Sequence, residues 1–479
     1  MKLKRSTRFI ATIILVRATR TLMKLFHLKA THFPGQLAKK LCPDFLSRIE
    51  KPDQIIAVTG TNGKTTVANL IADLGRQFNL SFAHNAYGSN IEEGVITALL
   101  DATTLTGRKK LPLAVLEIDE RLTRIVFKSI QPDYLIVTNL FRESYLRNAH
   151  GEFVFDILDA NIPLTTHLIT NADDLLSQGL ARKRPHTSFG IARLPGEATV
   201  THSLIRDVVL CPICHAPVTD LFIRYHHIGR SHCTACGWQS MTPDYEITKI
   251  MAVGSVDQPP LSADKIMEAD AFVLTQNSAP GAEEIYPFRG ENILDLYNEL
   301  TAVTLFRTLG YSSENVAEAL SEVKIGKSRK QVIQVGDKKI YRMLAKGKNP
   351  IAVSRVLEAI TKIPGPKQFV FLFDTSTGKM DGEDNTAWLY DADLSILRDH
   401  DVKRIVVGGY RAKDIKVALL FAGVSKEKIV ICKDKRKTAR EILPIHGQET
   451  IAILYELYSD PVSKKVAAAL RASMIKQNR

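Results

Sequence analysis

Short apolar runs alternate along this chain with longer segments of helical or irregular pattern. Runs of this kind, bounded by polar residues, are typical of strands that are buried on both faces of a parallel sheet. Their alternation with helices predicts an α/β fold with a mainly parallel sheet. In the first part of the chain the predicted strands are residues 55–58, 113–118, 134–138 and 167–170, with a helix from Thr65 to about Phe78.

The pattern changes further along the chain. Residues 205–245 interrupt the alternation with clustered cysteine, histidine and aromatic residues, and Asn292 to Leu309 then has the pattern of a helix that rejoins the first domain. A basic linker near 324–330 begins a second α/β region, with predicted strands at 368–373, 404–407, 428–432 and 450–454. We therefore expect an N-terminal segment at 1–50, a central domain at 51–325 with an insertion at about 205–245, and a smaller C-terminal α/β domain at 326–479.

Composition places the chain among globular proteins, because 45% of its 479 residues are apolar and 24% are charged. The net charge is +13, and residues 1–50 carry +9 of it, with eleven Lys or Arg against Asp44 and Glu50. The remainder is only mildly basic, which argues against an extended nucleic-acid groove. Basic charge beside apolar residues favours an anionic membrane surface or an acidic partner instead.

The basic N-terminal segment contains an apolar run at residues 9–16 that is too short to span a bilayer. On a helical wheel, one face is apolar and another is basic. Such an amphipathic helix either packs on its own domain or lies on a membrane surface, and the sequence leaves both open. The apolar face consists of Ala11, Ile14, Leu15, Ala18, Leu22, Leu25 and Phe26, and the basic face of Arg17, Arg20 and Lys24.

Residues 58–66 read VTGTNGKTT directly after an apolar strand, and this is the most informative motif of the chain. A strand, a glycine-rich turn and a helix N-terminus together direct backbone N–H groups at an anion, and Lys64 adds a full charge. Gly60 lies only three residues before Gly63, so the motif is a tightened P-loop; the alternative is an ordinary glycine-rich turn. The predicted nucleotide contacts are Gly60, Thr61, Asn62, Gly63, Lys64, Thr65 and Thr66.

Ligands of parallel sheets bind at the carboxyl ends of the strands. Here those ends are the acidic segment 117–120, Thr138 with Asn139, and the polar segment 170–174. Thr65, directly after the lysine of the loop, offers a hydroxyl of the kind that can ligate Mg²⁺.

Four of the six cysteines form the pattern C-x2-C-x18-C-x2-C, while Cys42 and Cys432 are isolated. Two such pairs complete a tetrahedral site of four sulfurs, so we predict a structural zinc ion rather than four unrelated cysteines. The neighbouring histidines then have surface or packing roles. This cysteine usage fits a reducing compartment. The predicted zinc ligands are Cys211, Cys214, Cys233 and Cys236.

These residues resemble a known family. The loop T-G-T-N-G-K-T-T at 59–66 resembles the ATP site of the Mur ligases, and the four-cysteine insertion narrows the resemblance to the MurT family of Mur-ligase-like synthase subunits. The resemblance extends over nearly the whole chain. It includes residues 84–90, 117–120, 139–142, 171–174, 296–300, 381–384 and 388–393.

The resemblance implies a Mur-ligase-type central domain with an inserted zinc ribbon and a Rossmann-like C-terminal domain. It implies ATP-dependent amidation of the D-glutamate α-carboxylate of the lipid II stem peptide to D-isoglutamine, through an acyl phosphate. Lys64, with Mg²⁺ held by Thr65 and Glu117, would neutralise charge on the transferring phosphoryl group. Further nucleotide contacts would come from Asn171, Asp174 and Asn298.

The resemblance also implies a partner, a GatD-type glutamine amidotransferase that supplies ammonia, and a cytoplasmic location at the inner face of the membrane that holds lipid II. Asp384 would complete the Cys–His pair of that partner. Asp381 and Asp391 are its competitors, and a loop-capping carboxylate is the alternative. The chain departs from the family's pattern at residues 374–380, Asn385 and Ala387, and either Lys327 or Arg329 takes the place of a linker arginine.

Two other functions remain open at this point: an amino-acid-adding Mur or folylpolyglutamate-type ligase that acts alone, and an NTPase that binds nucleic acid through the zinc ribbon. The cysteine insertion and the Asp384 segment favour the amidating subunit over the first. The weak basicity of residues 51–479 argues against the second.

Overall fold

A computed structural model describes most of the chain. The described residues are 6–26, 31–85, 90–142, 150–200, 203–252, 259–279, 281–323, 330–345, 349–373, 386–445 and 447–477. Within them the chain forms two compact units, the first built from residues between 6 and 200 and between 207 and 323, and the second from 203–206 and residues between 330 and 477.

The first unit is built on a nine-stranded sheet, and its strands follow the order β11-β10-β9-β6-β5-β4-β1-β3-β2. The pairs from β2 to β9 are parallel, and β10 and β11 add an antiparallel edge. The strands are β1 Gln54–Thr59, β2 Phe82–His84, β3 Leu113–Glu117, β4 Tyr134–Val137, β5 His167–Asn171, β6 His186–Ile191, β9 Tyr245–Met251, β10 Ala271–Gln276 and β11 Glu283–Pro287.

Helices pack against this sheet, and the central strands β1, β3, β4 and β5 are almost continuously buried because helices cover them. The helices are α1 Thr7–Leu25, α2 Phe33–Leu41, α3 Phe45–Arg48, α4 Lys64–Gln77, α5 Glu92–Asp101, α6 Thr123–Val126, α7 Gly151–Asn161, α8 Leu175–Ala181, α9 Ile293–Thr308 and α10 Ser313–Glu322. Short 3₁₀ segments lie at Glu120–Leu122 and Ala263–Glu268.

The N-terminal helix α1 packs on its own unit, which is one of the two outcomes that the sequence left open. Phe9, Ile13 and Val16 are fully buried in the same apolar cluster as strand residues of β1 and β3. The Phe9 ring lies 5.1 Å from the Phe45 ring. No helix among the described residues is long and apolar enough to cross a membrane.

The segment that interrupts the alternation forms a separate antiparallel hairpin, β7 Thr219–Tyr225 and β8 Ile228–His232, between β6 and β9 in the chain. The two cysteine pairs flank it. The strands between residues 245 and 287 are absent from the prediction made on the sequence. β9 continues the parallel part of the sheet, and β10 and β11 form its antiparallel edge.

The second unit contains a six-stranded sheet of order β12-β13-β17-β14-β15-β16, parallel except for the β12–β13 hairpin. Its elements are β12 Lys330–Val335, β13 Lys338–Leu344, α11 Pro350–Thr361, β14 Lys367–Leu372, α12 Trp388–Asp391, β15 Val402–Gly408, α13 Ala412–Phe421, β16 Ile429–Cys432, β17 Thr450–Tyr455 and α14 Asp460–Gln477. Short 3₁₀ segments lie at Leu394–Arg398, Lys426–Lys428, Lys435–Glu441 and Leu457–Ser459.

The predicted α/β fold class is confirmed, and every strand named from the sequence is present within two residues of its expected bounds. The predicted helices at 65–78 and 292–309 correspond to α4 and α9, and Asn292 caps α9 by accepting from the N–H groups of Leu294 and Asp295.

Candidate functional site: a phosphate loop at the ends of the parallel strands

The glycine-rich turn connects β1 to α4 and requires its two glycines. Gly60 and Gly63 have φ values of +125° and +87°, in the region that side chains disfavour. A Cβ atom on Gly60 would overlap Thr138, and one on Gly63 would lie 2.5 Å from Oδ1 of Asn298. The turn therefore lies against the end of β4 on one side and α9 on the other, and the fold brings Asn298 to the loop. Its contact with a nucleotide stays a prediction.

Two residues at the end of β4 hold the turn in place. The N–H of Thr61 donates to the carbonyl of Asn139 over 2.8 Å, and the N–H of Asn62 donates to Oδ1 of Asn139 over 3.0 Å. The Thr138 hydroxyl donates to the Asn62 carbonyl over 2.6 Å. Thr138 and Asn139 were noted in the sequence only as a strand end, and the structure shows that they fix the backbone of the phosphate loop.

Lys64, the first residue of α4, has its ammonium group inside the site. Its Nζ lies 2.9 Å from Oε1 of Glu120 and also donates to the Gly60 carbonyl. The side chains of Lys64 and Glu120 are both almost entirely buried. Glu120 was part of the acidic segment 117–120, but its pairing with Lys64 was not predicted.

The pair predicted to hold Mg²⁺ is assembled. The Thr65 hydroxyl donates to Oε1 of Glu117 over 3.0 Å, and Asn90 Nδ2 donates to the same oxygen over 3.2 Å. Asn85 fixes the backbone of Glu117 through two 2.7 Å bonds, one to its N–H and one to its carbonyl. A hydroxyl and a carboxylate at this distance, beside a phosphate loop, fit the oxygen-ligand preference of Mg²⁺.

Asn171 and Asp174, at the end of β5, are buried and have several protein partners. Asn171 Nδ2 donates to the Thr138 carbonyl over 3.3 Å. Asp174 caps α8 and accepts from the Leu140 N–H over 2.7 Å, next to the residue that holds the loop. Their direct contact with a nucleotide stays a prediction. Thr66, the last residue of the predicted loop set, is half-buried in the first turn of α4.

The hairpin β7–β8 contacts the strand end that follows β5. Nε2 of His227 lies 3.1 Å from Oδ1 of Asp174, and Nη1 of Arg224 lies 3.0 Å from Oδ2 of Asp173. Arg230 adds a 2.9 Å contact from Nε to Oδ1 of Asp173. The buried carboxylate of Asp173 thus has two guanidinium partners, which offset the cost of burying its charge.

Arg224 also links the hairpin to α9. Its Nη1 donates to the Tyr297 hydroxyl over 2.8 Å, and that hydroxyl donates to Asp173 over 2.7 Å. Burial raises the pKa of Tyr297 well above its usual value. Burial opposes the charge of Arg224, but the hydrogen bond to Tyr297 and the carboxylates of Asp173 and Glu197 together outweigh it and raise the pKa of Arg224. Because Tyr297 precedes Asn298, this network fixes the helix residue that contacts the phosphate loop. No motif in the sequence indicates this network, because its members are far apart along the chain.

The four predicted zinc ligands lie together. Sγ of Cys211 is 3.6 Å from Sγ of Cys236, Sγ of Cys214 is 3.5 Å from Sγ of Cys233, and all four sulfurs lie within 4.8 Å of one another. Sulfurs bound tetrahedrally at about 2.3 Å from a zinc ion are roughly 3.8 Å apart, so the cluster fits that ion.

The two cysteine pairs adopt the same turn. The N–H of His215 donates to the Cys211 carbonyl and that of Gly237 to the Cys233 carbonyl, each over 3.0 Å. His215 and Gly237 both have positive φ values. Among the described residues no histidine nitrogen joins the four-sulfur group, in agreement with the expectation that the neighbouring histidines are not ligands, and His226 and His227 are buried.

Several expectations fall on residues outside the described part of the chain. These are Asp384 with its competitor Asp381, the linker alternatives Lys327 and Arg329, and the segment 374–385. The third candidate, Asp391, ends α12.

Comparison with known proteins gives matches over most of the chain. Residues 347–459 match the family model described as MurT ligase C-terminal. The chain is 29% identical over 432 residues to the lipid II isoglutaminyl synthase (glutamine-hydrolyzing) subunit MurT of Staphylococcus aureus (strain COL), a match that covers 89% of this chain and 90% of that protein.

Solved structures share the fold. A pseudomurein peptide ligase type C from Methanothermus fervidus matches with a TM-score of 0.63 and 16% identity, covering 93% of this chain and 84% of that chain. The MurF ligase of Thermotoga maritima in complex with ADP matches with a TM-score of 0.55 and 15% identity, covering 93% and 85%. At these identities the likeness shows the fold, which is that of the Mur ligases, and the fold expected from the sequence resemblance is confirmed.

Proposed function

We propose that this chain, a relative of the MurT subunits with the fold of the Mur ligases, is an ATP-dependent, amide-forming enzyme of peptidoglycan synthesis. Its proposed reaction is amidation of the D-glutamate α-carboxylate of the lipid II stem peptide to D-isoglutamine. The observation that carries the proposal is the phosphate loop, with Lys64 inside it and the Thr65–Glu117 oxygen pair 3.0 Å apart beside it. The named activity of the MurT relative supports the substrate.

The proposed chemistry has two steps. The acceptor carboxylate attacks the γ-phosphorus of ATP, which forms an acyl phosphate and releases ADP. Ammonia then attacks the acyl carbon, the bond from that carbon to the phosphate oxygen breaks, and the proton that the nitrogen loses passes to phosphate or solvent. One carboxylate oxygen thus leaves as part of the phosphate and NH₂ takes its place, so that one ATP is used for one amide bond.

The residues of this chain bind and orient the triphosphate. Backbone N–H groups of the turn and of the α4 N-terminus lie where an anion binds favourably. Lys64 would move from Glu120 to the phosphates and stabilise the charge that develops on the transferring group. Thr65 and Glu117 would hold Mg²⁺, which supplies charge neutralisation when bound. Asn298, against Gly63, limits the space on the α9 side of the turn.

The proposed nitrogen source is a GatD-type glutamine amidotransferase subunit, because the name of the MurT relative describes a glutamine-hydrolysing synthase. In this proposal Asp384 orients the catalytic pair of that partner, the role that the third member of a triad has. The complex would act at the inner face of the cytoplasmic membrane, where a lipid-linked acceptor is available.

The test is mass spectrometry of lipid II after incubation with the purified complex, ATP, Mg²⁺ and glutamine. The expected product has NH₂ in place of one carboxyl OH, and Lys64→Ala should abolish it while the zinc content stays unchanged. Addition of an amino acid instead would identify a stand-alone ligase, and retention of amidation by Lys64→Ala would contradict the assigned phosphate loop.

A further inference from the structure

Helix α1 has two apolar faces, and only one of them is used within the fold. Phe9, Thr12, Ile13 and Val16 face the apolar cluster under the sheet and are buried. The apolar face noted in the sequence is a different one. At 100° per residue its members fall within one arc of about 120°, and this arc lies on the other side of the helix from the buried residues. Its large side chains are exposed: Ile14 52%, Leu15 50%, Leu22 55%, Leu25 70% and Phe26 69%.

A continuous exposed stripe of this kind differs from the isolated apolar residues that protein surfaces normally carry. It runs from Ile14 to Phe26, about 18 Å along the helix at 1.5 Å per residue. The helix cannot turn this face inward, because two arginines fix its rotation. Nη2 of Arg17 donates to the Leu100 carbonyl over 2.6 Å, and Nη2 of Arg20 donates to Oδ2 of Asp101 over 2.9 Å.

The N-terminal segment that carries this stripe is strongly basic in sequence, although Arg20 on α1 is paired with Asp101. The first 43 residues contain ten Lys or Arg and neither Asp nor Glu. A second exposed cluster lies beside the helix in the loop after α5, where Leu105 is followed by Arg108 and Lys110. This loop is held against α1 by Gly107, where a Cβ atom would lie 2.6 Å from the Phe9 ring.

We propose that the outer face of α1, formed by Ile14, Leu15, Leu22, Leu25 and Phe26, lies in the surface of an anionic phospholipid bilayer. Aliphatic and aromatic tips with basic flanks are the arrangement of interfacial helices, whose apolar face enters the acyl boundary while the cations contact lipid phosphates. The uniform positive charge of the segment complements an anionic surface. This inference extends the proposed function, because it assigns the surface by which the chain meets the membrane that holds a lipid-linked acceptor.

The experiment measures binding of the full chain to vesicles, alone and with its glutaminase partner. Vesicles of phosphatidylglycerol mixed with phosphatidylcholine are compared with vesicles of phosphatidylcholine alone, at low and high salt. We expect binding to the anionic vesicles only, weakened by salt. The double variant Leu22→Gln/Leu25→Gln should bind about tenfold or more weakly, because two apolar side chains no longer enter the acyl region. Its melting temperature should stay unchanged.

The matched control is Met267→Gln/Ile285→Gln. Both residues are more than half exposed, and they lie next to β10 and in β11, at the sheet edge opposite the β2–β3 side against which α5 packs. The control should bind vesicles like the wild type. Equal binding of the wild type and the Leu22/Leu25 variant, or no binding of the wild type to anionic vesicles, would overturn the inference. If the Leu22/Leu25 variant instead loses self-association or binding to the glutaminase partner on gel filtration, the outer face of α1 is a protein interface, and this result would also overturn the inference.

Amidation of a lipid-free stem-peptide acceptor separates this inference from the proposed function. The Leu22/Leu25 variant should amidate that soluble acceptor at the wild-type rate. If amidation proceeds and no vesicle binds, the membrane face is wrong and the enzyme assignment stands. If vesicles bind and no acceptor is amidated, the enzyme assignment is wrong and the membrane face stands.

Discussion

Lys64 Nζ lies 2.9 Å from Glu120 Oε1, and both groups are almost entirely out of solvent. Removal of one partner of such a buried ion pair strongly destabilises the folded protein, because the other charge is left buried and uncompensated. The carboxylate of Glu120 therefore holds the lysine that is proposed to contact ATP. We expect ATP binding to exchange one anionic partner of Lys64 for another.

We predict that Glu120→Gln lowers the free energy of unfolding of the nucleotide-free protein by about 3 kcal/mol, as expected for a broken buried pair. Because Lys64 no longer has to leave the Glu120 carboxylate when nucleotide binds, the thermal shift produced by a non-hydrolysable ATP analogue should be larger than in the wild type. Denaturant unfolding and thermal melts measure both quantities. Glu93→Gln is the control, since the Glu93 contact to Lys39 is 3.4 Å long and partly exposed. An unchanged thermal shift would mean that Lys64 stays with Glu120 when nucleotide binds.

Thr65→Val keeps the shape of the side chain and removes the hydroxyl that contacts Glu117. We expect the Mg²⁺ concentration needed for half-maximal ATP turnover to rise at least about tenfold, because one oxygen ligand is lost. Turnover measured over a Mg²⁺ titration tests this. Thr66→Val, one position further along α4, should change the Mg²⁺ requirement little. Similar effects of the two variants would argue against Thr65 as a metal ligand.

Asp174→Asn should weaken nucleotide binding without any loss of zinc. The carboxylate of Asp174 accepts from the Leu140 N–H and contacts His227, so it connects the hairpin β7–β8 to the segment that holds the phosphate loop. We expect a stability loss of about 1–3 kcal/mol, typical of an imperfectly paired buried group, and a several-fold higher Kd for ADP by calorimetry. Asp220→Asn is the control, because Asp220 bonds to Ser231 within the hairpin. Unchanged ADP affinity in Asp174→Asn would separate the hairpin from the nucleotide site.

The two cysteine pairs flank the hairpin β7–β8, so removal of zinc should destabilise this hairpin. We predict one zinc ion per chain by atomic absorption, loss of that ion in Cys233→Ser, and a lower melting temperature with a higher Kd for ADP, because Arg224 and His227 reach the strand end from this hairpin. Cys432→Ser removes an isolated cysteine of β16 and should leave the zinc content unchanged. Full zinc retention in Cys233→Ser would refute the four-sulfur site.

Asp384→Ala should block glutamine-dependent amidation and leave ammonium-dependent amidation intact, because only the partner's glutaminase would lose its orienting carboxylate. Product formation with glutamine and with ammonium salts gives the two rates. Asp381→Asn, in the same motif, is the matched control and should retain both activities. If ammonium does not rescue Asp384→Ala, the proposed role of this residue is wrong.

Sequence patterns were sufficient for features that depend on neighbouring residues. The phosphate loop follows from two glycines, a lysine and a threonine in one turn, and the cysteine pairs follow from their spacing. The buried strands follow from apolar runs such as those at 113–118 and 450–454. Each of these patterns fixes a local backbone conformation, so no knowledge of distant residues was needed.

The tertiary structure decided everything that depends on which distant residues meet. Glu120 reaches Lys64 across 56 positions and Tyr297 reaches Asp173 across 124, because the order of the strands and the path of α9 bring them together. The same holds for α1: the helical wheel marks one apolar face, which includes Leu22 and Leu25, but that face is exposed, and Phe9 and Ile13 on another side of the helix pack inward. Periodicity marks a face as apolar, but the burial of that face depends on the surface that the rest of the chain presents to it.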